Sequence, residues 1–374
     1  MYKDFKLLVD GKQAFPQILK RIDEAKKSIK INMFIFRYDN IGCKIANPLY
    51  LAANRGVKVY LSMDKYGVIL ESAEESKQSF FHKKVSLFDK LQILTLRLGY
   101  PTLSEKGYKS YGYEDLLEKI SNHPNISLDI DRVKKDHSKY YIFDDEILIF
   151  GGINVEDKEN GSDVTGRLYQ DYMIEVSGSN HVSNFIYKLN NNVNLNKDYY
   201  YGMNYKENGS NIFEMKDLYI DLINESNEKL IIIMPYFHDV KEVTKAIINA
   251  YKRGVEITLM VPKLANFQSS ANHRCMKKLM KLTDNNINLY FSNKMVHTKL
   301  IVTEKIISLG STNIANKSFN VLSELNIFMK NVECEFSNEL FSSIDENISL
   351  SEKVTDFKSI KYNKFVAFLE GKLS

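Results

Sequence analysis

The 374 residues are too many for one ordinary domain and suit two, and 44% hydrophobic with 26% charged residues excludes a disordered chain. The net charge of +4 is too small to indicate a nucleic-acid-binding protein by itself. Three widely spaced cysteines (Cys43, Cys275 and Cys334) exclude a disulfide framework, so we expect a reducing compartment and buried thiols. We see no signal-peptide pattern and no apolar run near the roughly 20 residues of a membrane span, so we expect any membrane contact to be peripheral.

The first predicted elements lie at 25–64 and alternate strand, helix and strand. An apolar run is followed by a polar loop, an amphipathic helix ending at Arg55-Gly56-Val57, and a second β-rich run. Gly56 suits the left-handed position that follows many helices. Strands that alternate with crossover helices predict an α/β fold.

Residues 66–120 follow as an insertion of basic character. The stretch 77–109 holds six Lys and one Arg against Asp89 and Glu105, and apolar residues recur near helical spacing in 83–101. A basic patch suits phosphates of lipid or nucleic acid, and a basic amphipathic helix suits a lipid interface. The plainer alternative is a helix that packs on its own domain. Because the insertion immediately precedes the motif described next, we expect it to form a lipid-contacting substrate entrance.

The segment DHSKYYIFDDEILIFGGIN carries an imidazole, an ammonium, a carboxylate and a carboxamide at fixed offsets. In a strand, residues i and i+2 share a face, so His137 and Lys139 point the same way. Asp144 lies at the following turn. The glycine pair ending at Gly152 lets the backbone turn tightly and approach a ligand, which brings Asn154 to the same place.

The same order returns in the second half of the chain. Residues 226–263 repeat the strand, loop, helix and strand with a second Arg-Gly-Val triplet, and VHTKLIVTEKIISLGSTN then supplies His297, Lys299 and Asn313. We therefore expect two pseudo-symmetric α/β/α sandwich halves packed face to face. Their predicted bounds are 1–194 and 195–374, the latter with a C-terminal helical tail.

Two such halves would bring two imidazoles, two ammonium groups and two carboxamides to one pocket, which suits a phosphodiester. One histidine attacks phosphorus and forms a phosphohistidine, while the other protonates the leaving alkoxide and then deprotonates the incoming alcohol or water. The lysines and asparagines hold the non-bridging oxygens as charge builds up. Because the lysines supply the positive charge, we expect neither a metal nor a cofactor.

The duplicated pattern resembles the phospholipase D superfamily with its two HKD motifs, and most closely its bacterial cardiolipin synthase group. The resemblance spans roughly residues 5–350 without the insertion. It is carried by the segment quoted above with YQDYMIEVSG downstream, by MPYFHD and AYKRGVEITLMVP in the second half, and by GSTNIANKSFNVLSELN. It implies the phospholipase D-like fold and the transfer or hydrolysis of a phosphatidyl group.

The resemblance also implies a role for each site residue. The first-half histidine of related enzymes is the nucleophile, so His137 takes that role and His297 is the general acid and base. Asp171 and Glu324 correspond to acidic residues that buttress the histidines. Asp144 corresponds to the acid of the motif and is expected to be a structural hydrogen-bond acceptor.

The chain departs from the family pattern at a few positions. Glu304 stands where the family has Asp, and the second hairpin is one residue shorter than the first. If the motif acid is structural, this reshapes a turn; if it is catalytic, the second half is impaired. Tyr169-Gln170 replaces the usual Trp-Arg, and Ser311 adds a hydroxyl where the first half has Gly152.

The sequence thus predicts a cytoplasmic, membrane-peripheral phosphatidyltransferase or phosphodiesterase acting on phospholipids, monomeric with an internal pseudo-dimer. The alternative is a nuclease of the same superfamily that cleaves DNA or RNA, which would use the same pocket and the same basic insertion. We place lipid first because of the quoted motifs and because the basic insertion is also apolar. A non-catalytic scaffold is disfavoured because both His-Lys-Asn sets are intact.

Overall fold

The computed structural model describes residues 2–74, 79–81, 90–91, 93–94, 115–161, 166–207 and 210–373. The chain divides into two compact units, the first spanning Asp4–Val193 and the second Asn194–Ser374 with Met1–Lys3. Most of the insertion predicted at 66–120 lies outside the described residues, as does nearly all of the amphipathic helix predicted within it.

The first unit is built on a mixed seven-stranded sheet with the order β1-β8-β6-β5-β2-β3-β4. The strands of the unit, of which β7 lies outside this sheet, are β1 (Phe5–Val9), β2 (Ser28–Met33), β3 (Lys58–Met63), β4 (Ile126–Asp129), β5 (Tyr140–Phe143), β6 (Ile147–Gly151), β7 (Tyr169–Gln170) and β8 (Tyr172–Ser177). Its helices are α1 (Asp10–Glu24), α2 (Asn40–Asn54), α3 (Lys65–Glu74), α4 (Leu116–Ser121), α5 (Ser179–Asn191) and a 3₁₀ turn at Asp157–Asn160. Strands β2, β3 and β4 run parallel, and the remaining pairs of this sheet are antiparallel.

The second unit has a nine-stranded sheet with the order β10-β9-β17-β16-β15-β11-β12-β13-β18. The strands of the unit, of which β14 lies outside this sheet, are β9 (Tyr199–Glu207), β10 (Ser210–Phe213), β11 (Lys229–Ile233), β12 (Glu256–Pro262), β13 (Asn288–Ser292), β14 (Met295–Val296), β15 (Lys299–Thr303), β16 (Ile306–Gly310), β17 (Glu324–Lys330) and β18 (Glu352–Val354). Its helices are α6 (Met215–Asn224), α7 (Lys241–Lys252), α8 (Ser269–Leu282), α9 (Asn316–Asn320), α10 (Glu335–Ser349), α11 (Lys364–Leu373) and a 3₁₀ turn at Phe357–Ser359. The seven strands of the first sheet correspond to seven consecutive strands of the second, from β9 to β13 in the order given, and this confirms the α/β fold predicted for both halves.

The central strands of each sheet carry apolar side chains on both faces, so helices cover both faces of the sheet. In the first unit, α1 and α2 close one core over β2 and β3, while Phe185 of α5 packs on Phe150 across the opposite face with ring centroids 6.3 Å apart. In the second unit, α6, α7 and α8 enclose the corresponding core. The helices thereby fix the central hairpins, β5–β6 and β15–β16, which carry the site.

The repeated Arg-Gly-Val triplet does the same work in both units. Gly56 and Gly254 have φ values of +96° and +87°, a conformation in which glycine is strongly favoured. The arginine before each glycine also contacts an earlier helix. The Arg55 guanidinium donates to Ile22 O of α1 at 2.9 Å, and the Arg253 guanidinium donates to Ile223 O of α6 at 3.1 Å. The triplet therefore closes one helix and ties it to another before the chain re-enters the sheet.

Candidate active site in two half-sites

The first half-site is built around His137 and Lys139, which lie just before β5. Lys139 is fully buried and His137 is 9% exposed. The Lys139 ammonium donates to the carbonyl of His137 and lies 5.3 Å from the ring centroid of Phe34. The same Phe34 ring meets the imidazole edge-on, with centroids 4.8 Å apart. Burying an ammonium in such surroundings favours an anionic ligand beside it.

The loop that leads into His137 is held by two carboxylates that the sequence did not single out, the buried Asp64 and the partly buried Asp136. Asp64 accepts from the backbone N–H groups of Lys134 and Asp136 at 2.9 and 2.7 Å. Asp136 in turn accepts from the Ser138 hydroxyl at 2.6 Å. Burial raises the pKa of Asp64 to about 6 and raises that of Asp136 as well. These bonds fix the backbone on both sides of the imidazole.

Asn154 is buried beside a cluster of charged side chains that the sequence analysis did not predict. Its amide nitrogen lies 3.4 Å from Glu156 Oε1. Glu156 is fully buried, receives a hydrogen bond from Arg37 Nε, and has Lys158 Nζ 3.4 Å away. The pairing of Arg37 with Glu156 crosses the core of the unit between residues 119 positions apart, so sequence spacing gave no sign of it.

The position of Gly152 has no room for a side chain, because the carboxylate of Asp171 packs directly against it. A methyl group added at Gly152 would lie 2.2 Å from Asp171 Oδ2, well inside van der Waals contact. Asp171 is 1% exposed and is tied to Asp10 through two bonds, one from Asp10 N to its carbonyl and one from its own N–H to Asp10 Oδ1. Its other carboxylate oxygen accepts from Tyr172 N at 2.8 Å. The carboxylate is therefore fixed directly against the Gly-Gly turn.

The second half-site repeats the arrangement with a different aromatic partner. Lys299 is fully buried, His297 is 7% exposed, and the ammonium donates to the carbonyl of His297. Tyr236 meets the imidazole edge-on with centroids 6.3 Å apart. The Tyr236 ring stacks on Phe267 and its hydroxyl donates to Asn266 Oδ1 at 2.6 Å. Tyr236 belongs to the Pro-Tyr-Phe turn that the sequence singled out for its resemblance.

Glu324 and Ser311 are joined directly in the second half-site. The Ser311 hydroxyl donates to Glu324 Oε2 at 2.6 Å and accepts from Leu325 N at 3.0 Å. Both side chains are buried. The pairing registers place Ser311 where the first unit has Gly152, and Glu324 where it has Asp171. The longer acid goes with the serine, and the shorter acid with the glycine.

The two asparagines share one property. In the described parts of the chain, Asn154 Oδ1 and Asn313 Oδ1 are both buried without a hydrogen-bond partner. Buried polar atoms are nearly always paired, so an unpaired atom at the same position in both repeats indicates a site for a ligand or its ordered solvent. The hypothesis that these asparagines face a substrate gains support from this.

Asp144 and Glu304 lie away from the imidazoles, at the far ends of the two hairpins. Asp144 accepts from the backbone N–H groups of Lys26, Lys27 and Ser28 at 2.7–2.8 Å. Glu304 accepts from Asn227 N at 3.0 Å and Glu228 N at 3.4 Å. Burial acts to raise each pKa, but the backbone donors outweigh it and hold the pKa of both groups below its usual range. Such contacts suit a structural role for the motif acid.

His238 occupies the position in the second unit that Arg37 occupies in the first. The Arg37 N–H bonds to Val155 O at 2.9 Å, and the His238 N–H bonds to Ile314 O at 2.8 Å. His238 Nε2 is 2.9 Å from Gln268 Oε1, and burial lowers the pKa of His238 to about 4, so the ring is neutral at physiological pH. The charged cluster of the first unit is thus replaced by a neutral pair.

Two further properties bear on the class of protein. Among the described residues, no group of three or more His, Cys, Asp and Glu side chains is placed to hold a metal ion. In the same parts of the chain, no helix combines the length and apolarity needed to cross a bilayer.

Comparison with known proteins gives consistent results. The family model described as "Cardiolipin synthase, PLD-like domain" matches residues 18–191 and 219–347. The major cardiolipin synthase ClsA of Bacillus subtilis is 23% identical over 93% of this chain and 70% of its own length. The cardiolipin synthase of Oceanobacillus iheyensis is 25% identical over 95% of this chain and 71% of its own length.

Solved structures show the same fold at low sequence identity. The phosphatidylserine synthase of Haemophilus influenzae superposes with a TM-score of 0.71 at 12% identity, covering 100% of this chain and 93% of that one. The polyphosphate kinase of Porphyromonas gingivalis gives a TM-score of 0.56 at 12% identity, covering 98% of this chain and 53% of that one.

Proposed function

Since the chain belongs to the phospholipase D-like family of the cardiolipin synthase type, we propose that it transfers a phosphatidyl group from one phospholipid to an alcohol or to water. The names of its relatives support a phospholipid substrate. The observation that carries the proposal is the duplicated His-Lys-Asn set, in which each buried ammonium donates to the backbone carbonyl of its histidine and each asparagine keeps an unpaired oxygen.

The chemistry proceeds in two displacements that share one phosphorus. A ring nitrogen of His137 attacks the phosphorus, the bond to the first alkoxide breaks, and His297 gives that alkoxide its proton. His297 then removes a proton from the acceptor hydroxyl, whose oxygen attacks the phosphohistidine and releases His137. The two steps return both histidines to their starting protonation states.

The remaining site residues stabilise charge and fix geometry. Lys139 and Lys299 offset the negative charge that grows on the non-bridging oxygens, and their complete burial strengthens that interaction because little water screens it. Asp171 and Glu324 are proposed as positioning residues that support the imidazolium form of the histidines. Asn154 and Asn313 complete the cradle for the phosphate.

We also propose that the protein is a monomer with an internal pseudo-dimer and that it works on the cytoplasmic side at a membrane surface. Each half supplies one complete His-Lys-Asn set, so a second chain is not required to form the pair. A bilayer substrate requires the enzyme to meet the lipid at the interface.

Turnover assays decide between lipid and nucleic acid. Purified protein is offered phosphatidylglycerol vesicles and, separately, single-stranded and duplex DNA and RNA, with the double variant His137→Ala/His297→Ala as the control for contaminating activity. From the vesicles we expect cardiolipin and glycerol if the acceptor is a second phosphatidylglycerol, or phosphatidic acid and glycerol if the acceptor is water. We expect no cleavage of DNA or RNA. Nucleic acid cleavage without lipid turnover would overturn the proposal in favour of the nuclease.

A further inference from the structure

The C-terminal helix of the second unit presents an unusual outer face. Helix α11 is 10 residues long, about 15 Å, and its sequence is KFVAFLEGKL. Phe365 is 70% exposed and Phe368 is 53% exposed. Lys364 and Lys372 are exposed on the same side, since residues 364, 365, 368 and 372 fall within about 100° on a helical wheel. The outer face therefore combines two phenyl rings with two ammonium groups.

The inner face of α11 explains why this outer face is fixed in place. Ala367 is buried, and the helix's one acidic residue, Glu370, turns inward and accepts from Ala271 N at the start of α8 at 2.7 Å. Asn363 caps α11 by accepting from Phe365 N and Val366 N. Lys277 Nζ donates to Ile360 O at 3.0 Å just before the helix. Because Glu370 points inward and bonds to α8, no carboxylate of α11 lies beside the outward-facing lysines.

A basic recess of about 410 Å³ lies beside the helix. Its walls include Lys241, Arg274 and Lys372, together with Phe368 and Asn316. Asp239 also lines it, but that carboxylate is paired with Lys278 at 2.7 Å. His238, which also lines the recess, is neutral, since burial lowers its pKa to about 4. The recess therefore carries three cations and suits an anionic group such as a lipid phosphate.

The recess adjoins the second half-site along the chain. Asn316 lies three residues beyond Asn313, and His238 N bonds to Ile314 O between them. A lipid bilayer that bound at the recess would therefore contact the protein next to the segment that carries Asn313. This placement suits an enzyme that takes its substrate from an interface.

We propose that the outer face of α11 and the basic recess beside it form a docking surface for an anionic lipid bilayer. Phe365 and Phe368 enter the headgroup region while Lys241, Arg274 and Lys372 hold lipid phosphates. The inference rests on the proposed function for its biological meaning, because it identifies the surface by which the enzyme meets its phospholipid substrate. The charge of the face favours lipid over a second copy of this chain, which would place like charges against each other.

Vesicle co-sedimentation tests the aromatic part of the surface. The double variant Phe365→Ser/Phe368→Ser is compared with Leu282→Ser/Leu350→Ser, which removes two leucines of 50% and 56% exposure elsewhere on the same unit. With vesicles of phosphatidylglycerol and phosphatidylcholine, we expect the first pair to weaken binding about tenfold or more and the second pair to change it less than about twofold. Unchanged thermal midpoints show that both variants are folded.

A second arm tests the basic part. Lys241→Gln/Arg274→Gln/Lys372→Gln is compared with Lys252→Gln/Lys281→Gln/Lys358→Gln, which removes the same charge from exposed positions outside the recess. We expect only the recess variant to lose its preference for phosphatidylglycerol vesicles over pure phosphatidylcholine vesicles. Soluble glycerophosphate should compete weakly, because it lacks the acyl surface that the phenyl rings enter.

Binding is measured in the His137→Ala background as well, so that it does not depend on turnover. If the aromatic variant sediments with vesicles as fully as the wild type, the docking surface is wrong even when lipid turnover is confirmed. If turnover fails while both binding differences appear, the proposed function is wrong and the docking surface stands. A wild-type dimer that the aromatic variant converts to a monomer, with vesicle binding unchanged, would identify the face as a self-association surface and overturn the inference.

Discussion

Glu304 holds the same part of its unit that Asp144 holds in the other, although the two acids differ in length. Asp144 is the first residue of a three-residue turn between Phe143 and Ile147. Glu304 is the first residue of a two-residue turn, Glu304-Lys305, between Thr303 and Ile306. Each carboxylate reaches the backbone N–H groups at the entrance to the first parallel strand of its sheet. The longer side chain therefore compensates for the shorter turn, and the departure from the family pattern leaves the imidazoles untouched.

The first prediction follows from this role. Glu304→Gln and Asp144→Asn should each destabilise the fold by about 1–2 kcal/mol at pH 7, since they weaken acceptors of backbone hydrogen bonds. The folded-state pKa of both acids is lowered, so the stabilisation is present above the unfolded pKa and is lost as the pH falls through the folded pKa. Urea unfolding should therefore show a wild-type advantage at pH 7 that shrinks towards pH 3.

Activity separates this structural role from a catalytic one. At a temperature where both proteins are folded, Glu304→Gln should keep kcat within about threefold of wild type, far from the 10²–10⁴-fold cost of losing a general acid or base. Glu304→Asp should not improve stability, because the shorter acid cannot span the two-residue turn. A folded Glu304→Gln protein without turnover would show that the motif acid takes part in the reaction.

The second prediction assigns different duties to the two histidines. His137→Ala should abolish both turnover and the covalent phosphoenzyme, because it removes the proposed nucleophile. His297→Ala should slow turnover of a normal phospholipid by about 10²–10⁴-fold but still form phosphoenzyme from a substrate whose leaving group needs no proton. Acid-quench trapping with a substrate labelled at phosphorus measures the intermediate. Phosphoenzyme in His137→Ala and none in His297→Ala would reverse the assignment.

The third prediction concerns the pairing of Gly152 with Asp171 and of Ser311 with Glu324. Gly152→Ala should push the Asp171 carboxylate aside and lower kcat more than it raises KM, because Asp171 is proposed to position an imidazole. Ser311→Ala makes no clash but leaves Leu325 N and Glu324 without the hydroxyl, at a cost of about 1–3 kcal/mol in unfolding free energy. Parallel kinetics and urea unfolding distinguish the two effects. Equal effects of both substitutions on stability and kcat would refute the distinction.

The sequence foretold the part of the site that depends on local spacing. Alternation along a strand predicted that His137 shares a face with Lys139 and that His297 shares a face with Lys299. The structure buries both lysines, but β5 begins at Tyr140 and β15 at Lys299, so both histidines lie just before the strands. What the sequence could not foretell depends on contacts between distant segments. Phe34 on the His137 imidazole, Asp64 on the Asp136 amide and Arg37 on Glu156 each join positions far apart in the chain. The one usable hint was the aromatic turn after β11, which contains Tyr236.

The fourth prediction uses the buried ion pair of Arg37 and Glu156. Glu156→Ala should destabilise the first unit by about 3–5 kcal/mol, since it removes a buried carboxylate that accepts a hydrogen bond from the buried Arg37 guanidinium. The second unit has His238 and Ala315 at the corresponding positions. The double variant Arg37→His/Glu156→Ala places the residue types of His238 and Ala315 at these positions and removes the buried charge of Arg37, so it should be more stable than Glu156→Ala alone. Urea unfolding of the wild type, Arg37→His, Glu156→Ala and the double variant completes the cycle, and a double variant less stable than Glu156→Ala would show that the pair cannot be exchanged.

The fifth prediction is a pH dependence that comes from Asp39. Its carboxylate accepts from Gly42 N at 2.9 Å and Asp157 N at 2.7 Å, but burial, with the nearby Asp157 and Glu156 carboxylates, raises the pKa of Asp39 to about 7. Between about pH 4 and 7 the folded state holds a proton that the unfolded state has released, so this contribution to stability falls as the pH rises. Asp39→Asn keeps a cap for α2 but cannot ionise. Its stability relative to wild type should therefore increase from pH 5 to pH 8 in urea unfolding, whereas a constant difference across that range would mean that Asp39 is ionised throughout.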